Sequence, residues 1–293
     1  MNHSEKQAKL MLMTSLVIFS TIGIFITYIP FPSSFIAFAR GVIGTLFILI
    51  VLAIKRKKLN IQAIKQNLIL LCISGACIGF NWILLFESYR YTSVSNATLC
   101  YYMAPVFFML LSPIVLKEKL PPKKLICTFV AIIGMIIISG VLKNGFYGIK
   151  GILLGLGAAM LYASALLMNK FLKGIDGYER TLIQIGMAAV AILPYVLLTE
   201  RISEFDYSAL TVTLLIFVGI VHTGLAYTLY FGSIEKIKAQ TVAILSYLDP
   251  VIALVLAAVI LKDNFGLENI IGSVLILGAT LISEIPSKKE KQK

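Results

Sequence analysis

The chain has 293 residues with 26 basic and 14 acidic side chains, a formal charge of +12, yet only 14% of its residues are charged and 59% are hydrophobic. With a mean hydropathy of +0.93, this composition lies outside the range of soluble globular domains and reads as an integral membrane protein. An excess of Lys and Arg in so apolar a chain does not by itself imply a nucleic-acid partner; its distribution among the loops decides what it means.

Apolar runs of about 18 to 23 residues, the length of a helix that crosses a bilayer, recur at 10–28, 34–54, 68–87, 94–116, 123–142, 150–170, 179–199, 209–229, 239–261 and 267–285. They predict an all-α integral membrane protein of ten transmembrane helices, named below as the first to the tenth run. The runs do not alternate in hydrophobicity, as the strands of a membrane barrel would. The first follows Lys6 and Lys9 and is succeeded by YIPFPSS, which has no small-x-small cleavage pattern, so it reads as a retained helix. Cys72, Cys77, Cys100 and Cys127 all fall inside runs and read as small packing residues, with no disulfide framework, metal site or cofactor expected.

If the N-terminus is cytoplasmic, the cytoplasmic segments hold 20 basic residues and the opposite loops 5 (Arg90, Lys143, Lys150, Arg201, Lys262), with Arg40 left inside a helix. That bias is the positive-inside rule, and it predicts both termini in the cytoplasm of a multi-pass cell-membrane protein. The charge therefore reports orientation in a lipid bilayer, and no nucleic-acid partner is expected.

Placing residue n over residue n+145 aligns positions 86–118 with 231–263 without a gap, and Phe86/Phe231, Ser88/Ser233, Tyr102/Tyr247, Pro105/Pro250, Val106/Val251, Leu116/Leu261 and Lys117/Lys262 are identical. The chain reads as a duplicated five-helix unit, 1–145 and 146–293. Five is odd, so the second unit enters the membrane from the opposite side. The loops agree: KEKLPPKK and KRKKLNIQAIK in the first unit are basic, whereas KDNFGLEN and ERISEFDY in the second lean acidic. Two inverted five-helix repeats are a transporter architecture, because near-equivalent halves can alternate which side of a central site is open.

The stretch from YTSVSNATLCYYMAPVFFMLL to LKEKL, its echo AQTVAILSYLDPVIALVLAAVILKDNF and the closing GSVLILGATLI resemble the EamA group of the drug/metabolite transporter superfamily, over nearly the whole chain. The resemblance implies a ten-helix, two-repeat carrier of small metabolites and suggests amino acids, their derivatives and amines. In that family the fourth and ninth helices usually end in a Gly-Glu pair. Lys117-Glu118 and Lys262-Asp263 stand in those places here, keeping the acid and losing the glycine.

Within SYLDPVIA, Asp249 sits in an otherwise apolar run. A charge at the bilayer centre costs at least about 2.5 to 3.5 kcal/mol, so it should face a cavity or a partner. Pro250 should kink the ninth helix and free a carbonyl beside that carboxylate, with Pro105 as its counterpart in the fourth. The residue before Pro105 is Ala104, so the carboxylate belongs to one repeat only. Asp249 is a candidate for cation recognition or proton coupling, against a structural ion pair. His222, in the eighth run, is a candidate proton carrier or a packed neutral ring. Arg40 either neutralises Asp249, binds a substrate carboxylate, or snorkels to the surface. Glu87 is a candidate gate.

Trp82, the single tryptophan, maps onto Tyr227 and Tyr102 onto Tyr247; with Tyr101 these rings either form a cage for a flat ring or an alkylammonium or simply pack. Asn81 and Asn169 need partners inside helices and either line the path or bond a backbone carbonyl. Gly151, Gly155 and Ala159, and Gly272 with Ala279 around Gly278, allow close helix approach within a monomer or a homodimer. No HExxH, GxSxG or P-loop motif occurs, and a second carboxylate at depth is lacking, so no catalytic set is expected.

The expected function is secondary transport or export of a small organic metabolite, an amino acid, amino-acid derivative or amine, by alternating access, with protons as a candidate coupling ion. The substrate path is expected to be lined by Asp249, Trp82, Tyr247, His222, Arg40, Asn81, Tyr102 and Tyr227. The alternatives are a carrier of nucleotide-linked or other anionic metabolites, which would want several basic residues in the cavity, and a non-transporting membrane enzyme or scaffold.

Overall fold

A computed structural model describes residues 3–92, 94–138, 141–144, 148–205, 207–261 and 266–285. The expected repeat boundary at 145/146 and the Lys262-Asp263 pair lie outside the described residues. Those described fold into helices α1 (His3–Thr27), α2 (Ser33–Ile54), α3 (Ile61–Ser88), α4 (Val94–Tyr101), α5 (Ala104–Val115), α6 (Pro122–Ile138), α7 (Val141–Asn144), α8 (Ile149–Asn169) and α9 (Gly177–Thr199). There follow α10 (Ala209–Phe217), a π-helical stretch Val218–Leu225, α11 (Ala226–Ile234), α12 (Ala239–Leu245), α13 (Leu248–Leu256), a second π-helical stretch Ala257–Leu261, and α14 (Leu267–Glu284).

Among the described residues, eight stretches are long and apolar enough to cross a membrane, against ten expected. The fifth and tenth runs are the short ones. In the fifth, the described helix α6 runs for 17 residues, up to the edge of the described residues at 138. In the tenth, α14 starts at the expected position 267, and its described apolar part is Ile270–Ser283. The third run is longer than hydropathy suggested, because the Asn60 side chain accepts the Ala63 N–H at 3.1 Å and starts α3 seven residues earlier than the expected position 68. The fourth and ninth runs are each broken in the middle, between α4 and α5 and between α12 and α13, with Pro105 and Pro250 in the first turn of the second piece. Pro250 leaves no free carbonyl: that of Ser246, four residues back, accepts the Asp249 N–H at 3.2 Å.

The runs pack in a pattern that maps onto itself when five is added to each. The third (α3) lies against the sixth and seventh (α8, α9), and the eighth (α11 and its π-helical stretch) against the first and second (α1, α2). The fourth (α5) meets the sixth, as the ninth (α13) meets the first; the second and seventh, fourth and ninth, and fifth and tenth meet their own counterparts. Close packing marks the same repeat positions. A Cβ on Gly79 of α3 would lie 2.7 Å from the Ala188 carbonyl oxygen of α9, and one on Gly224, 145 residues on, would lie 2.4 Å from the Phe47 ring of α2. Gly151 and Gly155 face Thr92, Ala97 and Cys100 of the same chain, so these small residues serve packing within the monomer.

Gly79→Val and Gly224→Val are each expected to lower the thermal stability of the detergent-solubilised protein, by about 1–3 kcal/mol for an overpacked site. Gly278→Ala, where a Cβ meets nothing within 4 Å, is expected to leave the melting temperature unchanged.

Candidate functional site

The broken helices sit beside a cavity of about 550 Å³ in the middle of the bundle. Its charged lining residues are Arg40, from the second turn of α2, and Asp249, from the first turn of α13. Between them the wall is aromatic: Trp82, Tyr101, Tyr102, Tyr162, Tyr227 and Tyr230. The Arg40 guanidinium stands over the Trp82 ring, 4.6 Å from its centroid, a cation–π contact that leaves Nε without a hydrogen-bond acceptor. Tyr101 stacks on Tyr162 at 5.9 Å and 26°, and Phe19 of α1 meets Tyr227 edge-on at 5.0 Å. Among the described residues Arg40 and Asp249 form no ion pair with each other, so Arg40 does not neutralise Asp249 as one reading of the sequence allowed.

Of the residues expected to line a path, Asp249, Trp82, Arg40, Tyr102 and Tyr227 border this cavity, as does Pro105; His222, Tyr247 and Asn81 do not. The cavity face of the ninth run is Ala243, Ser246 and Asp249, spaced three apart; Tyr247 falls off that stripe and packs with Val106, Cys127 and Ile276 in a separate core. His222 turns to α1 outside the cavity lining: its Nε2 lies 2.8 Å from Thr21 Oγ1, and its ring packs between Phe25 and Phe217. Asn81, one residue from Trp82, turns to α8 and donates from Nδ2 to the Ala158 carbonyl at 3.1 Å, a clamp between helices. Asn169 donates to the Ala165 carbonyl of its own helix. Tyr162, Tyr230 and Tyr89 also line the cavity: Tyr162 lies inside an apolar run with no mark of which face it serves, and Tyr89 and Tyr230 lie just past the ends of theirs.

Among the described residues the lining of the cavity extends toward one face of the bundle. Its lining runs from Leu16 and Tyr230 at the deep end to Ile26, Ser33, Phe86 and Tyr89, beside the 28–32 and 89–92 connections. There a polar hollow of about 350 Å³ shares Ser33, Phe86 and Tyr89 with it and adds Arg90, Tyr195 and Glu200. Glu87, at the rim, accepts from Arg90 at 3.0 Å and from the Tyr195 hydroxyl.

The opposite face, which carries the basic loops, is closed by hydrogen bonds between the two matched segments. Glu118 accepts the Ala239 N–H at 3.0 Å and Gln240 donates to Ser112 at 3.0 Å; just past the first segment, the Lys124 ammonium donates to Thr241. The Lys170 ammonium donates to the Ile237 carbonyl, and buried Arg180 joins Glu235 at 2.9 Å. Burial pushes Lys170 down to about 8, against the pull of Glu118 and Glu235. Asp176, the N-cap of α9, is half-buried, which would raise its carboxyl, but Lys57 and the Glu179 and Tyr178 N–H groups hold it below its ordinary value. Among the described residues no three His, Cys, Asp or Glu side chains gather as metal ligands would.

Comparison with known proteins gives this architecture its family. The model of the EamA-like transporter family matches twice, over residues 7–140 and 149–284. The chain is 28% identical over 289 residues to an uncharacterized transporter, YxxF, of Bacillus subtilis, covering 96% of this chain and 91% of that protein. It is 28% identical over 233 residues to a probable amino-acid metabolite efflux pump of Salmonella typhimurium, covering 75% of this chain and 77% of that one. A solved crystal structure, 16% identical, superposes over 98% of both chains with a TM-score of 0.85, which speaks for the fold alone. The repeated packing pattern, the cavity within the bundle and two family matches that together span nearly all of the chain lead to one conclusion: the protein is a membrane protein of the EamA-like transporter family.

Proposed function

We propose that the protein carries a small organic metabolite, an amino acid, amino-acid derivative or amine, across the cell membrane by alternating access, and that export is its direction. The observation that carries this reading is the one-sided cavity: it enters an apolar bundle from one face, while hydrogen bonds between the matched segments close the other. The helix contacts that map onto themselves when five is added support two inverted units of five, with α6 and α14 as a ninth and tenth span. The basic loops support a reading in which the termini and the closed face are cytoplasmic and the cavity faces outward. The name of the Salmonella typhimurium relative supports amino-acid metabolites and export. A single guanidinium in the cavity weighs against nucleotide-linked or multiply anionic cargo.

Counterflow of a mixed metabolite pool into proteoliposomes, read by mass spectrometry, tests the assignment; exchange of no amino acid, derivative or amine would refute it. In a background with the four native cysteines replaced, an impermeant maleimide added from the outside is expected to label Ile26→Cys and Ser33→Cys and to spare Gln240→Cys. Equal labelling of all three would refute the closed face.

Opening the cytoplasmic face would hydrate Lys170 and return it toward the ordinary lysine value of 10.5, so opening takes up a proton above about pH 8. Rising pH therefore favours the closed cytoplasmic face. Spin labels on Lys119 and Lys236 are expected to draw together, on average, between about pH 7 and about pH 9. Lys170→Met should remove that dependence.

A further inference from the structure

We infer that the cavity selects its cargo by charge, taking zwitterions and rejecting the singly charged relatives of the same molecule, with Asp249 receiving the ammonium group and Arg40 the carboxylate. This rests on the transport reading above and narrows it.

Arg40 and Asp249 enter the cavity from opposite halves of the chain, and both are held inside the apolar bundle. Neither has a charged partner among the described residues, and the guanidinium lies over the face of Trp82. Two such groups in a membrane interior are costly while each lacks its complement. A ligand that brings one positive and one negative end relieves both. An amine of the same shape would answer Asp249 and place a second positive charge near Arg40; a carboxylate would do the reverse. Like charges brought together in an enclosed site are among the stronger means of rejecting a wrong partner.

The wall between the two charges fits the body of such a ligand. Tyr227 is close enough to feel both Arg40 and Asp249 and lies beside the Trp82 indole. Tyr101, Tyr102 and Tyr162 continue the aromatic lining. About 550 Å³ is ample for an amino acid with a large apolar or aromatic side chain. Tyrosine and tryptophan faces welcome that side chain and, through their rings, the ammonium end as well.

The test uses two matched sets sharing one body: phenylalanine, phenethylamine and 3-phenylpropionate, and leucine, isoamylamine and isocaproate. Binding to the purified full chain is read from the emission of Trp82, the single tryptophan, and transport from counterflow in proteoliposomes. Wild type is expected to prefer at least one amino acid over both its amine and its acid by about tenfold or more. Asp249→Asn should lose amino-acid affinity and gain the acid; Arg40→Gln should lose it and gain the amine. A gain of the mismatched ligand cannot come from a misfolded protein, so it separates charge selection from damage. If wild type exchanges an amine or an acid as readily as the amino acid, or if the two variants shift no preference, the inference is overturned while transport stands. If wild type exchanges nothing from the wider metabolite pool, the transport reading itself fails.

Discussion

The bundle depends on backbones that approach one another closely across its two halves. Between apolar helices in lipid there is no hydrophobic drive to associate, so packing and interhelical hydrogen bonds must supply the cohesion. At Gly79 against α9 and at Gly224 against α2 a side chain would collide with the neighbour, and these two contacts occupy the same place in the two repeats. With the second, third, seventh and eighth runs locked this way, α6 and α14 pair to one side and contribute no lining residue. The cavity is left to the helices around the seam, including both broken ones.

A broken helix is tolerated at membrane depth only where its freed backbone groups find partners or face a cavity. Both interruptions satisfy this locally. The Tyr102 N–H reaches the Thr98 carbonyl at 2.9 Å, that of Met103 reaches Cys100 at 3.1 Å, and that of Asp249 reaches Ser246 at 3.2 Å. The prolines thus begin a new helix, where their missing N–H costs little, and do not sit in the middle of a continuous one. Ala243, Ser246 and Asp249, which run across the break, all face the cavity.

Hydropathy was sufficient for the helical runs because each must bury its backbone in lipid, and the 145-residue offset was legible because Phe86, Pro105 and their partners survive in both copies. It placed the start of α3 seven residues late, because the Asn60 cap lies in the polar stretch before the run. Residue type likewise found Asp249, Arg40 and Trp82, since a charge or a lone tryptophan in an apolar run stands out. His222 and Asn81 stand out just as much, on the same ground, but each finds one partner between helices, Thr21 and the Ala158 carbonyl. Which way a polar group turns is settled by the partner it finds, and that partner lies 201 and 77 residues away in these two cases. Tyr247 shows the limit of the repeat itself: its match with Tyr102 is one of sequence, yet only one of the pair borders the cavity.

The scaffold is nearly symmetric and its charges are not. The counterpart of Asp249 is Ala104, and that of Arg40 is Ile185, which is buried in the main core. Each half therefore brings one charge, of opposite sign, to a cavity that both halves enclose. A ligand can bias two conformations only by binding them differently. A molecule held at one end by the first half and at the other by the second meets that condition, because any rocking of the halves changes the distance between its two anchors. A ligand held by one half alone would ride with it and favour neither state. On the zwitterion reading, the asymmetry that departs from the repeat would do what two charges on one half could not: tie occupancy of the site to the relative position of the two units that enclose it.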